Sequence, residues 1–237
     1  HLKENPMENI VSLILLGLSH FAGSNVTTLL EQQQNMCFVP TEAQYCNDEN
    51  YKIAATMAIL EEMEVWTSPE GNVTYATSCR NQPGGCEAHI AKVVDIIFDI
   101  SCESNFDPFM VMAIAKHESN FNPFIQHRNS KATGLLQLMP RSPFAKGIRF
   151  IHNRQFRESC RNHETYCQEE ILHASFRLLY RSIARCGSLN RGLGMYGSGF
   201  CTGSRDFARY VDRYGSELEE RTIRMNERIL TNDSTSN

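Results

Sequence analysis

The chain has 237 residues, 41% of them apolar. At ~150 residues per domain this allows one or two domains and a sizeable core, and it excludes disorder throughout or a low-complexity fibre. The net charge of −4 lacks the basic excess of a nucleic-acid binder, so no nucleic-acid partner is expected. The total conceals an asymmetry: residues 1–127 carry five Lys/Arg against sixteen Asp/Glu, and residues 128–237 carry eighteen against eleven.

The chain begins at His1 rather than Met, as a processed or trimmed product does. Ile10–Leu18 is apolar, but Lys3, Glu4 and Glu8 before it leave the flank net negative, whereas a signal peptide needs a positive one. The run is also too short to span a bilayer, so it reads as a buried stretch of a helix over 8–33 opened by Pro6. A second helix is expected over 50–64, with Ile53, Met57, Leu60 and Glu64 on one face. Val65-Trp66-Thr67 and Val73-Thr74-Tyr75, joined by a Pro/Gly/Asn turn, predict a small β-hairpin. Ile90, Val93, Val94 and Ile97 mark a helix over 87–101. From there the pattern is helical over 107–118, 134–140, 168–186, 190–197 and 205–230, and the polar residues 231–237 read as a disordered tail.

Eight of the nine cysteines form sequence-local pairs, Cys37/Cys46, Cys79/Cys86, Cys160/Cys167 and Cys186/Cys201. Such usage suits short disulfide loops in an oxidising compartment, hence a secreted or periplasmic location. Cys102 is left over, as a buried thiol or a nucleophile, with the buried thiol favoured. Cys160, His163 and Cys167 have zinc-like spacing, but there is no second Cys-x-x-Cys knuckle, so no metal and no cofactor are expected. Asn25-Val26-Thr27 and Asn72-Val73-Thr74 match the glycosylation pattern.

The segment 103–124 contains an echo. Glu103-Ser104-Asn105-Phe106-Asp107-Pro108-Phe109 returns as Glu118-Ser119-Asn120-Phe121-Asn122-Pro123-Phe124. Asp107 is a good N-cap with Pro108 at the first helical position, so Glu103 falls in the preceding loop. Val111, Ile114, Ala115 and Glu118 then share a face, with Glu118 at the C-terminal end of the apolar stripe. Desolvation and the negative end of the helix dipole both raise the pKa of a carboxyl there, which suits a general acid that protonates a glycosidic oxygen. The bland alternative is a surface glutamate before a turn.

Glu118-Ser119-x-Phe121-x-Pro123, followed by Gly134-Leu135-Leu136-Gln137-Leu138-Met139-Pro140, closely resembles the signature of soluble lytic transglycosylases and their relatives the goose-type lysozymes. Leu193–Gly199 resembles the family's Ala-x-Tyr-Asn-x-Gly segment, and Arg209-Tyr210-Val211 its Tyr-Val pair. The resemblance covers about residues 100–228. It implies a mainly α, lysozyme-like catalytic domain over 101–230; residues 1–100 lie outside it and read, from their own pattern and cysteines, as a helical, disulfide-bearing extension with a small β-hairpin. The resemblance further implies Glu118 as the catalytic acid, with Ser119, Gln137, Met139, Tyr196 and Tyr210 on the sugar side.

The implied activity is that of a muramidase, a monomer with peptidoglycan strands as its partner. It would cut the β-1,4 bond between N-acetylmuramic acid and N-acetylglucosamine, giving either an anhydro or a hydrolysed product. The sequence departs from the family in three places. Gly197 stands for the family's Asn, Arg128 or His127 aligns where many members carry a Ser, and no second carboxylate lies in a family block, the nearest being Glu158, Glu164, Glu169 and Glu170. These departures leave two alternatives: a lysozyme-type hydrolase preferring de-N-acetylated peptidoglycan, or a non-catalytic glycan-binding module.

Overall fold

The computed structural model describes residues 45–235, apart from scattered positions between 68 and 83, residues 153–155 and residue 161. The helix expected over 8–33, Cys37 and Asn25 lie outside the described residues. All of those described fall within the compact unit Cys37–Asn237.

The architecture is mainly helical, as the resemblance implies. Helix α1 (Glu49–Met63) leads into strands β1 (Glu64–Thr67) and β2 (Val73–Tyr75), which pair antiparallel with Trp66 opposite Thr74. Then come α2 (Gly85–Glu103), α3 (Pro108–Ser119), two 3₁₀ turns (Pro143–Ala145 and Arg149–His152), α4 (Phe156–Cys160), α5 (Glu164–Cys186), α6 (Leu189–Ser198) and α7 (Arg205–Thr235).

Two apolar clusters organise these elements. The larger gathers α1, α2, α3 and the facing sides of α5 and α7, with Phe98, Phe109, Phe121, Leu135 and Leu136 inside it. Tyr45, Tyr51, Phe98 and Phe109 form an aromatic group there, packed edge to face except for the stacked tyrosines. The smaller cluster lies under the 141–167 segment and holds Phe124, Leu138, Ile148, Ile151, Phe156 and Ile171. Helices α1 and α2 belong to the larger core, so the boundary expected at residue 100 is not the edge of a core.

The face expected for α1 is corrected. Ile53 and Met57 are 51% and 44% exposed, while Tyr51, Ala54, Ala55, Ala58, Ile59 and Met63 are buried. The small alanines let α1 lie close against α7, and that approach outweighs the larger side chains on the other face. The Glu62 carboxylate of α1 bonds Lys116 of α3 at 2.7 Å and Arg221 of α7 at 2.9 Å, tying three helices together. The expected tail is corrected as well, because α7 continues to Thr235. No Gly or Pro follows Gly215 to stop it, and the Thr231 hydroxyl donates to the Arg228 carbonyl at 3.0 Å.

Three of the expected disulfides form: Cys79–Cys86, Cys160–Cys167 and Cys186–Cys201. Cys46 does not pair with Cys37, and Cys102 is not a free thiol, because these two bond to each other across 56 residues. Cys102 is near the end of α2 and Cys46 just ahead of α1, so the bond fastens the entry of one helix to the exit of the other. Loop-closure entropy grows with loop length. Cys46→Ser/Cys102→Ser, whose loop spans 56 residues, should therefore lose about 4 kcal/mol, and Cys79→Ser/Cys86→Ser, spanning 7, about 2 kcal/mol. Urea unfolding of the two double variants against the parent checks the order.

Candidate active site

Helix α3 starts as its sequence dictates. The Asp107 carboxylate caps it by accepting from the Phe109 amide at 2.8 Å, with Pro108 in the first turn. It ends directly after Glu118 and Ser119, because Asn120 (φ 49°) and Phe121 (φ 60°) both enter the left-handed region. Asparagine tolerates that conformation, but phenylalanine does so only when something holds it. Two things hold Phe121. Its ring is fully buried, and its carbonyl accepts from Nε2 of His89 on α2 at 2.9 Å. Burial keeps His89 neutral by lowering its pKa, so the bond needs the Nε2–H tautomer.

The second block forms a tight turn, not the helix expected over 134–140. Gly134 (φ 77°) and Gln137 (φ 49°) are left-handed, which a helix does not accept. Thr133 instead bridges Gln126 on one side and Leu138 on the other, exchanging both backbone bonds with Leu138 at 3.0 and 3.1 Å. A Cβ at Gly134 would lie 2.6 Å from Ile171 Cδ1, so a side chain there would displace Ile171 of α5 as well as strain the left-handed backbone. The buried Gln168 of α5 joins the two blocks. Its Nε2 donates to the Pro123 carbonyl at 2.9 Å and its Oε1 accepts from the Leu135 amide at 3.2 Å.

The Glu118 carboxylate projects from the end of α3 with 22% of its side chain exposed. Burial raises its pKa above the usual carboxylate range, while the neighbouring His117, whose Nδ1 is 3.6 Å from Oε1, pulls it part of the way back. His117 is itself held between two rings of α7, Phe207 at 4.8 Å and Tyr210 at 5.1 Å, and Tyr210 stacks on Tyr214. From α6, the Tyr196 hydroxyl donates to the Leu136 carbonyl at 2.7 Å. Burial, and after it the charge of Glu118, push the Tyr196 phenol well above its ordinary value, so it stays neutral.

The residues expected beside Glu118 do not all present free groups. Tyr196 and Tyr210 converge on Glu118 and its neighbour His117. Ser119 is buried, its hydroxyl donating to the Ala115 carbonyl at 2.8 Å within α3. The Gln137 side-chain amide turns back to the Gly134 carbonyl at 2.9 Å. Met139 is 42% exposed. Ser130 stabilises the 127–132 loop by accepting from the Ala132 amide, and Arg128 is exposed on that loop. Among the acids weighed as a second carboxylate, Glu164 pairs with Lys92 at 3.1 Å and Glu158 is exposed. Gly197 is explained by its surroundings, since a Cβ there would meet the Phe207 ring at 3.1 Å. Phe207 occupies the space beside α6 and also braces His117.

Sequence reasoning missed His89, Gln168, His117 and Phe207. A signal existed for the first two. Each is a polar residue on the apolar face of its helix, His89 four before Val93 and Gln168 four before Leu172.

A family model described as the transglycosylase SLT domain matches residues 95–214, just over half of the chain. The chain belongs to this family. The matched span begins inside α2 and ends at Tyr214 in α7, so it takes in both blocks, Tyr196 and Tyr210. No curated protein and no solved structure matches the chain. The SLT domain is a lysozyme-like helical fold whose activity is the cleavage of cell-wall peptidoglycan by transglycosylation, and peptidoglycan is the substrate it implies here. Among the described residues, no helix is long and apolar enough to cross a membrane.

Two outcomes follow for the SLT domain. The protonated form of Glu118 survives to higher pH than an ordinary carboxyl, so activity that needs this acid falls only as pH rises through the raised value. His117→Gln removes the charge that lowers it and should move that alkaline limb upward, which a pH profile of peptidoglycan turbidity loss measures. Gln168→Leu leaves two buried backbone groups unpaired and should cost about 3 kcal/mol in thermal unfolding while slowing turnover.

Proposed function

We propose that this SLT domain is a lytic transglycosylase acting on the β-1,4 bond between N-acetylmuramic acid and N-acetylglucosamine, with Glu118 as acid and then base. The supporting observation is the half-buried Glu118 carboxyl at the end of α3, its pKa raised by burial, beside the neutral Tyr196 phenol. In the first half of the reaction Glu118 gives its proton to the glycosidic oxygen as that bond to the muramyl C1 breaks. The resulting carboxylate accepts the proton of the muramyl 6-hydroxyl as its oxygen bonds to C1, closing a 1,6-anhydro ring. Glu118 ends protonated, as it began, and water is not consumed.

Inverting and retaining glycosidases need a second carboxylate as base or nucleophile. The internal 6-hydroxyl makes that group unnecessary, in keeping with Glu158, Glu164, Glu169 and Glu170 lying outside the family's blocks. The cavity beside His117 has Arg209, Arg213 and Asp206 in its lining, an excess of cationic side chains that does not favour amine-bearing, de-N-acetylated sugars. The disulfides suit an extracytoplasmic site of action.

Glu118→Gln is expected to lower the rate by at least about 10²-fold with no loss of fold. Mass spectrometry of digested peptidoglycan should find anhydro-muramyl ends. Reducing ends carrying one added water would replace the anhydro step by hydrolysis, and full activity of Glu118→Gln would refute the assignment of the acid.

A further inference from the structure

Beyond the sugar groove, the start of α6, the 201–203 loop and the first turns of α7 enclose a cavity of about 620 Å³. Three guanidinium groups line it, Arg191, Arg205 and Arg209, with Asn190 and Thr202, and no Asp or Glu is among the lining residues. The Cys186–Cys201 disulfide fixes the loop wall to the end of α5. Among the described residues, Arg209 pairs with Asp206, whereas Arg191 and Arg205 take part in no ion pair. Two arginine forks are thus open in a concave, walled site.

This cavity shares a wall residue with the one beside His117. Arg209 also lines the neighbouring cavity of about 680 Å³, which contains His117, Tyr210 and Arg213. Tyr210 packs on His117, the residue before Glu118. At a rise of about 1.5 Å per residue, the five residues from Tyr210 to Arg205 carry the basic track some 7–8 Å along α7.

A chain of N-acetylated sugars offers such a site no charge. The anionic groups of a wall strand are on its substituents, the carboxylates of peptide stems and the phosphates of attached polymers. Both suit the planar, bidentate fork of arginine. The volume is that of a small-molecule pocket and exceeds what a lone ion fills. We infer that the cavity lined by Arg191, Arg205 and Arg209 is a subsite for an anionic substituent of the wall strand being cut. The inference rests on the peptidoglycan assignment, and it makes the substrate a decorated strand in preference to a bare glycan.

The test is co-sedimentation with insoluble walls, which reads binding without turnover. It uses the Glu118→Gln protein and the same protein with Arg191→Gln/Arg205→Gln, both exposed positions, with thermal unfolding to check the fold. Three wall preparations serve as probes: intact, carboxyl-amidated with a carbodiimide and glycinamide, and phosphate-stripped by hydrofluoric acid. The double change should weaken binding to intact walls about tenfold. Added salt should narrow that difference. Masking or stripping the relevant group should bring the parent down to the level of the variant, amidation identifying carboxylates and acid treatment identifying phosphates. Equal binding of the two proteins to intact walls, or parent binding that neither treatment alters, would overturn the subsite. Failure of the muramidase assignment is read separately, as the absence of cleavage products from the unaltered protein.

Discussion

The seam between the two apolar clusters is the constraint on which the site depends. Each block of the signature contributes to both sides of it. Phe121 is in the larger cluster and Phe124 in the smaller, and Leu135 and Leu136 are in the larger while Leu138 is in the smaller. A loop pinned on both sides has little freedom, so side chains at its edge are held by burial that costs the site itself nothing. Filling the larger cluster with Phe121 accompanies a left-handed turn directly after Ser119, and that turn stops α3 where the Glu118 carboxylate is half-buried. A one-residue insertion in α3 ahead of Glu118 would rotate it by about 100° around the helix, away from Tyr196.

Polar bonds across the seam complete the arrangement. His89 holds the Phe121 carbonyl from one side and Gln168 holds Pro123 and Leu135 from the other. Both satisfy backbone groups that the tight turns leave without regular partners and that would otherwise be buried unpaired. Glu62, Lys116 and Arg221 fix the far face of α3 to α1 and α7. The extension ahead of the family's span therefore has a mechanical role, since α1 supplies Glu62 and α2 supplies His89.

How far the sequence disclosed this differs by element. The start of α3 was legible because Asp107 and Pro108 act locally, and the position of Glu118 followed from the helical period of Val111, Ile114 and Ala115. Helices α2, α5 and α6 were legible from the same period. The buried face of α1 was not, because apolar periodicity ranks side chains by size, whereas close packing against α7 selected the alanines. The Gly134–Pro140 block was mistaken for a helix because Leu135, Leu136 and Leu138 are apolar at short spacing, and their assignment to two different clusters is invisible in a linear pattern. Gly197 was legible only as a departure from the family's Asn, and the Phe207 ring packed against it is invisible in a linear pattern.

By itself the sequence pointed to the mainly helical class, the place of Glu118 at the end of its helix, three of the four disulfides among the described residues and the family that its two blocks signal. These depend on neighbours within a few turns or a short loop, and local geometry fixes them. Only the tertiary structure decided that Cys46 bonds Cys102, that His117 is braced by Phe207 and Tyr210 against Glu118, and that Arg191, Arg205 and Arg209 face one cavity. Those partners lie far apart in the chain, and what unites them is the packing of helices around two cores, which no local spacing encodes.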